Sequence, residues 1–115
     1  MMHAARLFDI INARDFKEMP LVLSETATLD FPKTPLITGR NRIATFFKAL
    51  FRRFPELHFE VVRAISQGKW TAVHWRNKGS DRDKRPYENE GVTLIRMDGG
   101  TITDITDFFK STEKF

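Results

Sequence analysis

One carboxylate stands out as able to do chemistry. In the run from Thr101 to Phe109, residues Thr103, Ile105, Asp107 and Phe109 fall on one side of an extended chain, and Ile105 and Phe109 demand the interior. An aspartate between them loses solvation, so its pKa rises and it becomes usable as a general acid or base near neutrality. The competing structural reading is a strand-end carboxylate turned to solvent by a bulge, or one satisfied by backbone N–H groups. His74 and Arg76 tempt as a base and an anion anchor. They share a face with each other and oppose Trp75, which marks them as polar outer or dimer-facing surface. His3, His58 and His74 have no ligand spacing and the chain has no cysteine, so no metal site and no cofactor are expected.

A lone carboxylate needs walls. Leu7, Phe31, Phe47, Trp75, Ile105 and Phe109 are apolar at positions expected to face inward; most such residues are simply core, but as a set they would line an apolar pocket. Thr103 joins them through its place on the last strand, and Asn77, Asn89 and Thr93, with Tyr87 at the rim, could supply the few polar contacts. Glu88 and Glu90 have the opposite parity and read as outer-face charges that pair with Arg76 or Arg96 across strands.

The composition sets the frame. A chain of 115 residues with 41% apolar and 30% charged content fits one soluble domain spanning 1–115. The start, MMHAARLFDI, lacks the apolar stretch of a signal peptide, and no apolar run approaches the roughly 20 residues of a membrane span. A cytoplasmic protein without membrane contact is therefore expected. The net charge of +4 is spread along the chain apart from Arg52-Arg53 and the Arg82–Arg85 cluster, which contains its own acid. A nucleic-acid partner would want a continuous basic stripe with exposed aromatics, so none is expected.

The elements that must position these residues follow from periodicity. Ala4, Leu7, Phe8 and Ile11 form a helical stripe, and Asp15 with Glu18 has the spacing of a capping box for a second, short helix interrupted by Pro20. Ala27, Leu29 and Phe31 alternate with polar residues as a strand does, and Pro32, Pro35 and Gly39 make a loop. Asn41 to Phe54 is a third helix, ended by Pro55. Four strands follow as a meander. The first alternates Leu57, Phe59, Val61 and Ile65 against His58, Glu60, Ala64 and Ser66, blurred at Val62-Arg63. The others are Trp70–Asn77, Tyr87–Met97 and Thr101–Phe109, with a tight turn at Asp98-Gly99-Gly100. Three helices cannot fill the concavity of a strongly curved sheet, so a cavity is a natural outcome.

The ordered pieces Asn12-Ala-Arg-Asp15, Ala27-Thr-Leu-Asp-Phe-Pro32 and Gly39-Arg40 opening an aromatic helix resemble the nuclear transport factor 2-like superfamily. The ending Gly91-Val-Thr-Leu-Ile-Arg-Met-Asp-Gly-Gly-Thr-Ile102, followed by Thr106-Asp-Phe-Phe109, resembles its SnoaL-like, polyketide cyclase-like branch. The resemblance implies an α+β fold: a cystatin-like curved antiparallel sheet with three N-terminal helices, forming a cone with an internal pocket, paired as a homodimer through the sheet. It covers nearly the whole chain but fixes architecture only, because the superfamily holds isomerases, cyclases, hydrolases and binding proteins.

Carried over residue by residue, the resemblance places Leu7 where the steroid isomerases of this fold have a tyrosine, Phe31 where they have the base, and Thr93 where they have a second acid. That chemistry is not expected here. Asp107 matches the late aspartate of the fold's epoxide hydrolases and the late acidic residue of its polyketide cyclases. The hydrolases' arginine and other aspartate should fall on Val73–Asn77, where His74 and Arg76 have the wrong parity. The expectation is a small-molecule pocket protein. It is either a cofactor-independent isomerase, cyclase, lyase or hydrolase using Asp107 on a small hydrophobic substrate, or a non-catalytic ligand-binding or dimerising domain of the same fold.

Overall fold

The computed structural model describes residues 2–113, with side chains from residue 4 onward, so the side chain of His3 lies outside the described residues. The first helix, α1 (Met2–Ala13), buries Ala4, Leu7, Phe8, Ile10 and Ile11, the side that 3.6-residue spacing brings together. It ends at Arg14, which takes the left-handed conformation at φ 60°. The Arg14 N–H donates to Ile11 O and the Asp15 N–H to Ile10 O, each at 3.1 Å, closing the last turn. A side chain is disfavoured in that conformation. Arg14 offsets the strain: its guanidinium donates to Pro55 O and Leu57 O and lies 3.6 Å above the Phe51 ring. Next to it, the Asn12 carboxamide donates to Phe59 O at 2.9 Å and accepts from the Phe59 N–H at 2.8 Å. The Asn-Ala-Arg-Asp segment is therefore a clip that fastens the end of α1 to the edge of the sheet.

The second helix forms differently from the expectation. Phe16–Leu21 is a 3-10 helix, and Asp15 makes no side-chain capping bond. Pro20 has no N–H to donate, so a longer α-helical ladder cannot form across it. Strand β1 (Leu23–Asp30) follows, then a two-residue strand β2 (Ile37–Thr38) that the sequence does not announce, and helix α2 (Arg40–Arg53). Helix α2 buries Ile43, Phe47, Leu50 and Phe51 against the sheet.

The remaining strands are β3 (His58–Gln67), β4 (Trp70–Ser80), β5 (Pro86–Asp98) and β6 (Thr101–Phe109). They form the expected antiparallel meander within a six-stranded sheet of order β2-β1-β6-β5-β4-β3. One pairing departs from the expected all-antiparallel sheet: β1 runs parallel to β6. The two strands are separated by α2 and the whole meander, a connection long enough to return in the same direction. The helices cover one face of this sheet, and the core lies between.

Two bulges reset the side-chain alternation. On β3 the register shifts between Val61 and Arg63, at the place where the sequence pattern blurs. Beyond it the phase inverts: Ala64 turns toward the core, and Ile65, expected on the side of Phe59, is 66% exposed. The second bulge lies between β5 and β6. There Arg96 pairs with Asp104 and Met97 with Ile102, leaving Thr103 as the extra residue. Among the described residues, no helix is long and apolar enough to cross a membrane.

Candidate functional site

The β6 bulge decides which residues reach the interior. Ile102 and Ile105 are both buried although three apart, which strict alternation forbids. Past the bulge, Ile105, Asp107 and Phe109 share the inner side, and Asp107 stands opposite Thr93 of β5. The Thr93 hydroxyl donates to Asp107 Oδ1 at 2.5 Å and accepts from the Trp75 indole Nε1–H at 2.8 Å. An indole N–H can only donate and an ionised carboxylate can only accept, so the hydroxyl between them is fixed in one orientation. Burial pushes the Asp107 carboxyl up to about 6; the Thr93 hydrogen bond opposes this, and the charge of Asp30 at the end of β1 adds to it.

Around this relay lies an internal cavity of about 30 Å³. Of the residues named as pocket candidates, Leu7, Phe31, Phe47, Trp75, Asn77, Thr93, Ile105 and Phe109 line it together with Asp107. They come from α1, α2, the end of β1 and the concave face of β4, β5 and β6. The rings leave little space between them: Phe31 and Phe109 are 5.2 Å apart, Trp75 and Phe109 6.1 Å, and Phe59 and Trp75 5.0 Å. Asn77 is 7% exposed, and its Oδ1 has no hydrogen-bond partner among the described residues.

Two named candidates lie elsewhere. Thr103 is the bulged residue, and its hydroxyl bonds Asp104 Oδ2 at 2.8 Å and receives Arg96 at 3.2 Å instead of facing the cavity. Asn89 is occupied with the chain beyond β6: its Nδ2 donates to Ser111 O and to the Tyr87 hydroxyl, and its Oδ1 accepts from the Ser111 N–H. Tyr87, expected at the rim, also lines the cavity, and Phe8, Ile11, Leu50, Leu57 and Phe59 line it without having been named for it. Phe8 and Ile11 belong to the same helical stripe as Leu7 and could have been found from it. Which members of a stripe reach a cavity is a property of packing.

On the outer face, His74 and Arg76 sit where alternation puts them, across from Glu90. Glu90 accepts from His74 Nε2 at 2.5 Å and Lys110 Nζ at 2.9 Å, with Arg76 Nε at 3.6 Å. The hydrogen bond from Lys110, then that from His74, holds the Glu90 carboxyl down at about 2. Among the described residues, no group of three or more His, Cys, Asp or Glu side chains is placed to hold a metal ion.

The architecture recurs in solved structures. A nuclear transport factor 2-like protein of unknown function from Burkholderia pseudomallei superposes with a TM-score of 0.90 at 15% identity, over 99% of this chain and 92% of that one. A proposed SnoaL-like polyketide cyclase from a Jannaschia species gives 0.87 at 18% identity, over 95% and 83%. A ketosteroid isomerase-like fold protein from Catenulispora acidiphila, in complex with trimethylamine, gives 0.84 at 16%, over 92% and 83%. At such identities the likeness is one of fold, and the fold is nuclear transport factor 2-like. No curated protein matches the sequence significantly. The sequence profile of the SnoaL-like domain matches residues 4–105, which is most of the chain, and the protein therefore belongs to the SnoaL-like domain family.

Proposed function

We propose that this protein binds a small molecule in the cavity beneath its sheet and that Asp107 exchanges a proton with it as a general acid/base. The observation that carries the reading is the Trp75–Thr93–Asp107 relay, which holds one carboxylate in a fixed orientation at the wall of a mostly apolar space. With a pKa of about 6, Asp107 is mostly ionised at neutral pH yet accepts a proton easily. The name of the Jannaschia relative supports cyclase-type chemistry, and the Catenulispora relative is a complex with a small molecule, trimethylamine. The test is deuterium exchange: small ketones incubated in D2O with the protein should gain deuterium next to the carbonyl faster than in buffer, and Asp107→Asn should remove the excess. If the excess persists in the variant, Asp107 is not the base.

A second reading is a non-catalytic binding or dimerising domain. It is favoured by the cavity's small size and by the lack of a second carboxylate, or of any histidine, lysine or arginine, among its described lining residues. Under it, Asp107→Asn changes ligand binding and no reaction rate. Either reading is compatible with a homodimer formed through the outer sheet face. There Ile65, Ala72 and Leu94 share one cross-strand row, and Phe108 of the next row is 59% exposed.

A further inference from the structure

A free volume of about 30 Å³ takes a water molecule or two. Anything larger reaches the cavity only if part of its wall moves. Among the described lining residues, Phe59, Asp107 and Phe109 are half-buried and the others are buried. Phe59 is fixed from outside, because the Asn12 carboxamide takes both its N–H and its carbonyl. Asp107 is fixed from inside by Thr93. Phe109 differs. It is the last residue of β6, so its hold depends on the chain that follows.

That chain is a strap laid along β5. The Lys110 N–H donates to Glu90 O and its Nζ to Glu90 Oε1, each at 2.9 Å. One residue on, the Asn89 carboxamide serves in place of the ladder. Its Nδ2 donates to Ser111 O at 2.7 Å, and its Oδ1 accepts from the Ser111 N–H at 3.1 Å. These side-chain bonds are solvent-exposed, and segments held in that way open at the lowest cost. The strap is also a partition. Phe109 borders both the cavity and a surface groove beside His74 and Phe108, and Asn77 borders both the cavity and the groove that Lys110 and Ser111 line. Asn89 Nδ2 donates in addition to the Tyr87 hydroxyl, so the residue that holds the strap also touches the cavity wall.

We propose that Phe109–Ser111 is a lid with Asn89 as its latch. The strap lifts off β5, the Phe109 ring leaves its neighbours Phe31 and Trp75, and the cavity opens at the end of β6. This rests on the reading of the cavity as the ligand site and adds the route by which that site is reached. Asn89 is a positioning residue here, acting through Ser111.

Hydrogen exchange of the Trp75 indole N–H in the ligand-free protein tests this, because that buried group exchanges only when water enters the cavity. In the wild type it should exchange faster than the slowest backbone amides of β4 and β5. It should also depend little on added urea, since lifting a short strap exposes little surface. Asn89→Ala removes both bonds to Ser111 and should speed the indole at least about tenfold relative to those amides. Tyr87→Phe removes the other partner of Asn89 and spares the latch, so it should leave that ratio unchanged. A staple supplies the converse. Asn89 and Ser111 stand opposite each other in the register that pairs Gly91 with Phe109, and the chain has no cysteine of its own. In the double variant Asn89→Cys, Ser111→Cys, oxidation should slow the indole to the rate of global unfolding, and reduction should release it. A wild-type indole that exchanges only with global unfolding overturns the lid. So does an unchanged ratio in Asn89→Ala, an equal acceleration in Tyr87→Phe, or a staple whose two redox states exchange alike. None of these results touches the ligand reading, which is decided separately by deuterium exchange into ketones.

Discussion

The Thr93 hydroxyl and the Asp107 carboxylate face each other across the β5–β6 ladder, 2.5 Å apart, with the Trp75 indole closing the relay from β4. Replacing Thr93 by valine keeps the shape and removes the hydroxyl. The Asp107 carboxylate then loses the hydrogen bond that favours its charged form, so its pKa should climb above the present value of about 6. The Trp75 N–H loses its acceptor in the same step, and the fold should weaken by about 1–3 kcal/mol. Carboxyl ¹³C shifts followed against pH, with urea denaturation alongside, check both parts. A pKa that stays or falls would contradict the relay.

Asp107 should make the protein less stable as the solution becomes less acidic. Its folded pKa of about 6 lies above its ordinary value of 3.8, so between those limits the folded state holds more protons than the unfolded chain. Stability then falls as pH rises through that window and stays level above it. A shift of this size corresponds to about 3 kcal/mol as an upper bound. Asp107→Asn should accordingly stabilise the protein at pH 8 and be close to neutral at pH 4, as measured by denaturant midpoints at the two pH values. Stabilisation of equal size at both would show that ionisation of Asp107 is not the cause.

Glu90 works in the opposite sense on the outer face. Its carboxyl, held at about 2 by Lys110 and His74, stabilises the fold above its ordinary 4.5, and that contribution is lost as pH falls toward 2. Glu90→Gln should flatten the acid limb of the stability profile below pH 4.5. An unchanged acid limb in thermal melts would rule out the cluster as the source of acid sensitivity.

Gly91 should tolerate no side chain. A Cβ there would stand 2.2 Å from Phe108 O, 2.7 Å from Phe109 Cβ and 2.8 Å from Trp75 Cζ2. The first of these is backbone, so the β5–β6 ladder itself has to move. Gly91→Ala should lower stability by about 2–4 kcal/mol through overpacking and should shift the Trp75 indole signal. A near-neutral variant would mean that the strands separate more easily than their pairing suggests.

The outer face makes a prediction about assembly. If a homodimer forms through the sheet, Leu94→Lys on the Ile65–Ala72–Leu94 row should convert it to monomer, with the helices and cavity untouched because Leu94 points away from them. Analytical ultracentrifugation reads the mass directly. A wild-type protein that sediments as a monomer would remove the interface.

The sequence by itself determined most of the elements and which carboxylate faces inward from the last strand. The stripes of α1 and α2, the four strands and the placement of Asp107 beside Ile105 and Phe109 are local patterns, set by side-chain period and readable without the rest of the fold. The turn at Asp98-Gly99-Gly100 is likewise local, with both glycines at positive φ. Tertiary structure decided whatever depends on distant partners. Pairing of β1 with β6, strands separated by most of the chain, made the sheet mixed. A bulge opposite Arg96-Met97 removed Thr103 from the cavity and left Asp107 in it, and strict period-two reasoning cannot foresee an inserted residue. Asn77 and Asn89 pair with each other on neighbouring strands, yet one has a buried, unpartnered oxygen and the other is bonded to Ser111. Their residue type and parity are the same. The difference arises from the chain beyond β6 packing beside Asn89, a long-range contact that no local pattern encodes.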